Sequence, residues 1–247
     1  MYVWKCWRDS RSRFVTSVIT LSALCVFFTY MNVKFTGGAI GARPPSSASQ
    51  TWSSATSFVL GGVAPLFTLL WGLVMGASGP GEEFNERTAD FLLVRPRRRA
   101  YWVWTAWSVG VLELGVMAFL AAATTFGTLT HFTGHVQTWW PLAAAVPLVL
   151  GGAVAYGLTY FMTVVARNGK QGLSYGFGIL FIDLLLPVAV SFYRNVNLPS
   201  VLEFMHGASK WVAGATKAFP AGSLVFWIAV ALAFPFAAQL LLERAEV

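Results

Sequence analysis

Glu82–Arg99, EEFNERTADFLLVRPRRR, lies between two long apolar runs. It carries four carboxylates (Glu82, Glu83, Glu86, Asp90) and five arginines (Arg87, Arg95, Arg97, Arg98, Arg99) in a chain with only 11% charged residues. Acids come first and the arginine cluster last, an order that complements a helix macrodipole. Gly79-Pro80-Gly81 predicts a break before the stretch, and Pro96 predicts a helix end at about Arg95. Phe84, Thr88, Phe91 and Leu92 recur at helical spacing and give a narrow apolar stripe. The stretch reads as a short amphipathic helix on the cytoplasmic membrane surface, turned toward a partner.

The composition around it sets the solvent. Of 247 residues, 56% are hydrophobic, and the mean hydropathy is +0.63. A soluble domain carries roughly a quarter charged residues, about twice the share found here. Several apolar runs also exceed the roughly 20 helical residues that cross a bilayer. The expectation is an all-α, polytopic membrane protein forming a single transmembrane domain. The net charge of +7 sits beside apolar spans, so it reads as topogenic charge next to anionic lipid rather than a nucleic-acid surface. Cys6 and Cys25 have no metal-ligand spacing and read as packing residues.

Residues 1–13 mix Trp4 and Trp7 with Lys5, Arg8, Arg11 and Arg13, the pattern of an interfacial helix lying in the membrane plane. Six spans are expected at about 14–33, 55–77, 100–126, 138–166, 172–193 and 223–242. The apolar run from Phe14 is too long for a signal-peptide core and reads as a retained span. Gly72 and Gly76 in the second span form a pair of small residues that permits close helix approach. Residues 194–222 are too apolar for a free linker and too broken for a full span, so they read as an outer segment dipping partly into the membrane. Twelve of the seventeen Lys and Arg collect on one side: Lys5, Arg8, Arg11, Arg13, the five arginines of the opening stretch, Arg167, Lys170 and Arg244. The positive-inside rule then puts both termini and residues 82–99 in the cytoplasm.

Two acids fall inside expected spans, Glu113 and Asp183. Counted along their helices, both lie roughly 16–20 Å from the cytoplasmic face, a shared depth near the midplane. Each reads either as part of a polar substrate or proton path, or as a neutral carboxyl bonded to a neighbouring helix. His131 and His135 have the spacing of a helical metal pair, but no third ligand accompanies them. No nucleophile elbow, HExxH or P-loop motif occurs, so no enzyme active site or metal is expected, and the chain does not carry its own P-loop ATPase.

A cytoplasmic segment of the form E…(G)T…LL…P..R between spans two and three resembles the permeases of type-two ATP-binding-cassette (ABC) transporters. The matching residues are Glu83 or Glu86, Thr88, Phe91, Leu92, Leu93, Pro96 and Arg98 or Arg99; Arg87 stands where the family usually has Gly. The resemblance extends to the basic N-terminal helix, the six spans and the outer segment before span six. It implies that residues 82–99 form a coupling helix seated in a separate ATPase, contacted by Glu82, Glu83, Glu86, Arg87, Thr88, Phe91, Leu92, Pro96, Arg98 and Arg99. Arg167 and Lys170 would form a second, smaller contact. It further implies two ATPase copies, a second permease chain identical or homologous to this one, and ATP and Mg held by the partner with no cofactor in this chain. The location implied is the bacterial inner membrane, and the cargo a hydrophobic or amphipathic compound for export. The alternative is a membrane assembly factor or anchor that docks a cytoplasmic partner through the same stretch.

Overall fold

The computed structural model describes residues 2–36, 48–85, 96–133, 140–194, 199–212 and 221–244. Among them the regular elements are all helical. They are α1 (Tyr2–Thr36), α2 (Ala48–Phe58), a π-helical turn (Val59–Val63), α3 (Ala64–Asn85), α4 (Pro96–Thr133), α5 (Trp140–Ala166), α6 (Gly169–Arg194), α7 (Val201–Val212) and α8 (Ala221–Arg244). Five segments of the described residues are long and apolar enough to cross a membrane: Ser10–Phe35, Trp52–Ser78, Ala100–Phe132, Pro141–Ala166 and Ala221–Arg244. The chain is thus a helical, multi-pass membrane protein by length and composition. α6, the expected fifth span, has 26 residues but is not among those five.

The bundle is built around α5. Buried residues make up 72% of its span, against 22% for those of α1 and α8. Its sequence explains the position, because Gly151, Gly152, Ala153, Ala155 and Gly157 give other helices a thin surface to approach. α3 runs parallel to it: a Cβ added at Gly72 would lie 2.5 Å from the Gly152 carbonyl oxygen, and one at Gly76 would strike the Tyr156 carbonyl. α4 runs antiparallel, with Leu114 against Gly152 and Trp102 beside Tyr160 at 6.4 Å between rings. α6 is also antiparallel, Gly172 meeting Thr163 and Gly176 meeting Thr159. α1 lies parallel to α4, with Ser10 bonded to Glu113 and Tyr30 near Phe132. The Gly72/Gly76 pair is therefore used inside the subunit.

Three local expectations are corrected. Residues 1–13 do not form a separate in-plane helix; from Tyr2 onward they continue without interruption into α1. Neither Gly nor Pro occurs between Tyr2 and Val33 to break the rod, and Ser10 has a partner on α4 that holds it against the bundle. The break expected at Gly79-Pro80-Gly81 is also absent, since α3 passes through it to Asn85. A proline inside an apolar helix is tolerated where neighbouring groups can satisfy the freed backbone, as Pro147, Pro187 and Pro235 also illustrate. Pro96 opens α4, at a position where its missing N–H costs nothing, and the helix end expected at about Arg95 lies outside the described residues. α4 likewise runs past the expected end of the third span to Thr133, which places His131 on a helix. His135 lies outside the described residues.

Candidate functional site

The ends of several helices converge at one end of the bundle. From the contacts of Gly76 and Trp102 with Tyr160, α3 leaves the bundle and α4 re-enters it level with the last turns of α5. Glu82 and Glu83 lie in the final turn and a half of α3, while Pro96, Arg98 and Arg99 lie in the first turn of α4. Glu86, Arg87, Thr88, Phe91 and Leu92 lie outside the described residues. The same end carries the two-residue turn between α5 and α6, where Arg167 and Lys170 are exposed. Asn168 builds that turn: its side-chain oxygen accepts the Lys170 N–H at 2.9 Å, and its carbonyl accepts the Gly172 N–H at 2.9 Å. Arg167 takes a left-handed φ of 50° to enter it, a conformation that costs a non-glycine residue free energy. α8 ends there too, with Trp104 donating to Gln239 at 2.7 Å and Gln239 donating to Glu243 at 2.6 Å. Lys34 and Arg194 close α1 and α6 at the opposite end.

Halfway along the bundle lies a polar layer. Glu113 follows the geometry of α4 into contact with α1 and is 1% exposed. One carboxylate oxygen accepts the Ser10 hydroxyl, and Arg13 is near enough for charge attraction. Its second oxygen is buried with no hydrogen-bond partner among the described residues. Tyr156 of α5 donates its hydroxyl to the Ala106 carbonyl at 2.9 Å. Counting from Gly172 and Gly176, Asp183 on α6 comes level with Gly152, as Glu113 does on the other side of α5. The two acids therefore share a level but not a site, with α5 between them. Chain order alone offers neither carboxyl a cation, because Arg13 falls just outside the first expected span.

Asp183 instead serves α7. Its carboxylate accepts the Val201 N–H at 3.1 Å and Ser200 Oγ accepts the Glu203 N–H at 3.0 Å, so two of the orphan donors at the start of α7 are satisfied. Met205 fills the notch left by Gly151, and Phe204 lies near Trp227 of α8 at 6.4 Å between rings. His206 is a residue that the sequence does not single out. Pro65 has no N–H to offer the Gly61 carbonyl four residues back, and the Nδ1 of His206 lies 3.2 Å from that oxygen. In the Nδ1–H tautomer it donates the missing bond. The signal is present as a proline four residues after a glycine, but nothing in the chain order points to residue 206 as its answer. Residues 195–198 and 213–220 of the expected outer segment lie outside the described residues.

On the flank formed by α4, α5 and α8 there is an apolar groove of about 480 Å³. Its lining includes Trp107, Val111, Phe119, Val146, Ile228 and Leu232. Among the described residues no group of three His, Cys, Asp or Glu could hold a metal ion. No family model matches the chain, and no curated protein matches it.

Proposed function

We propose that this chain is the permease subunit of an ABC transporter in the bacterial inner membrane, exporting a hydrophobic or amphipathic compound. The observation that carries the reading is where α3 ends and α4 begins. Residues 82–85 close the one and residues 96–99 open the other, at the bundle end that also bears Arg167, Lys170 and Arg244. A partner bound there pushes on α3 and α4 together, and both pack on α5, so a small displacement at the end is passed into the whole bundle. In this reading the chain has six spans, α6 included, with both termini and residues 82–99 cytoplasmic. Two ATPase subunits hold ATP and Mg, and a second permease chain completes the transporter. The apolar groove and the outward apolar faces suit a cargo that partitions into lipid.

Charge reversal tests the docking end. Glu86→Lys and Arg98→Glu are each expected to lower recovery of the partner ATPase on co-purification by about tenfold, the scale of breaking one close charge pair at an interface. The amount of membrane-inserted chain should not change. Recovery of no ATPase with the unaltered chain would overturn the permease reading and leave the anchor, whose partner would be of another kind.

A further inference from the structure

α7 is divided into two faces. Val201, Phe204, Met205, Ala208 and Val212 are buried, and they repeat at three- and four-residue steps, so they form one stripe against the bundle. Opposite them Glu203 and Lys210 are exposed, and a Cβ added at Gly207 would meet nothing within 4 Å. Positions 203, 207 and 210 share a face. The outward side of α7 is therefore open along two turns and carries an ionisable side chain at each end.

The contacts of α7 fix its depth. Val201 donates to the Asp183 carboxylate, Met205 fills the Gly151 notch and His206 lies on the Gly61 carbonyl. Gly61 lies nine residues inside the span that opens at Trp52, and Gly151 ten inside the one that opens at Pro141. At 1.5 Å per residue both are roughly 13–15 Å below the bundle end that bears Lys34. Glu203 sits between Val201 and Met205, so it falls well inside the roughly 30 Å of hydrocarbon. The outward side chains of the neighbouring helices at this level are apolar, Ile182 beside Asp183 and Phe226 beside Trp227. An ionisable side chain turned outward at such a depth faces water or a polar partner rather than lipid. Lysine has a long stem that can carry its charge to the interface, but the stem of glutamate is too short. α6 ends at Arg194 and α8 begins at Ala221 on the Lys34 side, so the helices before and after α7 both meet that side, and water reaches Glu203 from there.

We propose that the Glu203–Lys210 face of α7 lines a water-filled recess that opens at the Lys34 end and admits polar groups deep into the bundle. The inference goes beyond the permease reading and does not depend on it. Under that reading the recess gives the polar end of an amphipathic cargo a hydrated surface. Cysteine accessibility tests the recess on the full chain in lipid nanodiscs, where both sides meet the reagent and orientation does not matter. In a background carrying Cys6→Ser and Cys25→Ser, Glu203→Cys, Ile182→Cys and Phe226→Cys are each treated with a charged maleimide. A thiol reacts as its thiolate and needs water to ionise, so Glu203→Cys is expected to react about tenfold faster or more than either lipid-facing position. Lys34→Cys, at the end of α1, sets the rate for open solvent. Glu203→Cys reacting no faster than Ile182→Cys and Phe226→Cys would overturn the recess, whether lipid or a second copy of the chain covers the face. Should Glu203→Cys fail to fold, Gly207→Cys, placed where a Cβ has open space, is read against the same controls with the same two outcomes. The nanodiscs hold no ATPase, so loss of the recess and loss of the permease reading remain distinct results.

Discussion

Gly72 and Gly76 bring α3 directly against the backbone of α5. A methyl group at Gly72 meets a backbone carbonyl at 2.5 Å and the Ala155 side chain at 3.2 Å, and a carbonyl on a packed helix cannot swing aside as a side-chain tip can. Gly72→Val should therefore destabilise the protein by about 1–3 kcal/mol, the cost of overpacking, read as a lower thermal unfolding midpoint in detergent. Gly178 on α6 has open space at its Cβ position, and Gly178→Ala should leave that midpoint unchanged or raise it, since alanine is the better helix former. A drop with Gly178→Ala equal to that with Gly72→Val would remove the packing argument. The spacing of Gly72 and Gly76 marks them as a contact pair, but it carries no record of which helix they touch. Glu113 is visible in the sequence as an anomaly in an apolar run, while its partner Ser10 is hidden in a segment that reads as lying on the membrane surface.

At the scale of elements, α7 shows how a short helix is held among long ones. It is anchored by Asp183 at its N-terminus, by Met205 in the Gly151 notch and by His206 on the Gly61 carbonyl. Asp183→Ala leaves the Val201 N–H without its acceptor and should cost about 1 kcal/mol, as loss of an N-terminal cap does. Hydrogen exchange of the first α7 amides should quicken, whereas Asp183→Asn, which keeps an oxygen acceptor, should restore much of the protection. Equal exchange in all three proteins would detach Asp183 from this role. The long helices are legible in the sequence because apolar runs of 20 or more residues have few other solutions in lipid. Their ends are less so: Gly79-Pro80-Gly81 has the chemistry of a break, yet the helix continues through it. Propensity measured in water overstates the cost of proline and glycine where neighbouring helices supply packing and hydrogen bonds.

For the whole molecule, the decisive asymmetry is between the two ends. Arg167 and Lys170 mark one, Lys34 the other. With the first end in the cytoplasm, an impermeant maleimide added to intact cells should label Lys34→Cys and spare Lys170→Cys, in a background carrying Cys6→Ser and Cys25→Ser. Permeabilised cells should show both. The reverse pattern would invert the proposed orientation. The lysine and arginine count yields this orientation from sequence alone, but it also sets Arg8, Arg11 and Arg13 beyond the bundle. It weighs charges against spans and cannot see that α1 slides along α4 until Ser10 reaches Glu113.

The seat of α7 also sets an order of assembly. Its surroundings come from residues made earlier, the Gly61 turn, Gly151 and Asp183, and from one made later, Trp227. While the chain is being synthesised, α7 leaves the insertion machinery with its capping acceptors ready but its α8 wall missing. A twelve-residue helix is too short to wait in lipid as a span of its own. It gains its full surroundings only when α8 is in place beside it, so its seat depends on a helix made after it.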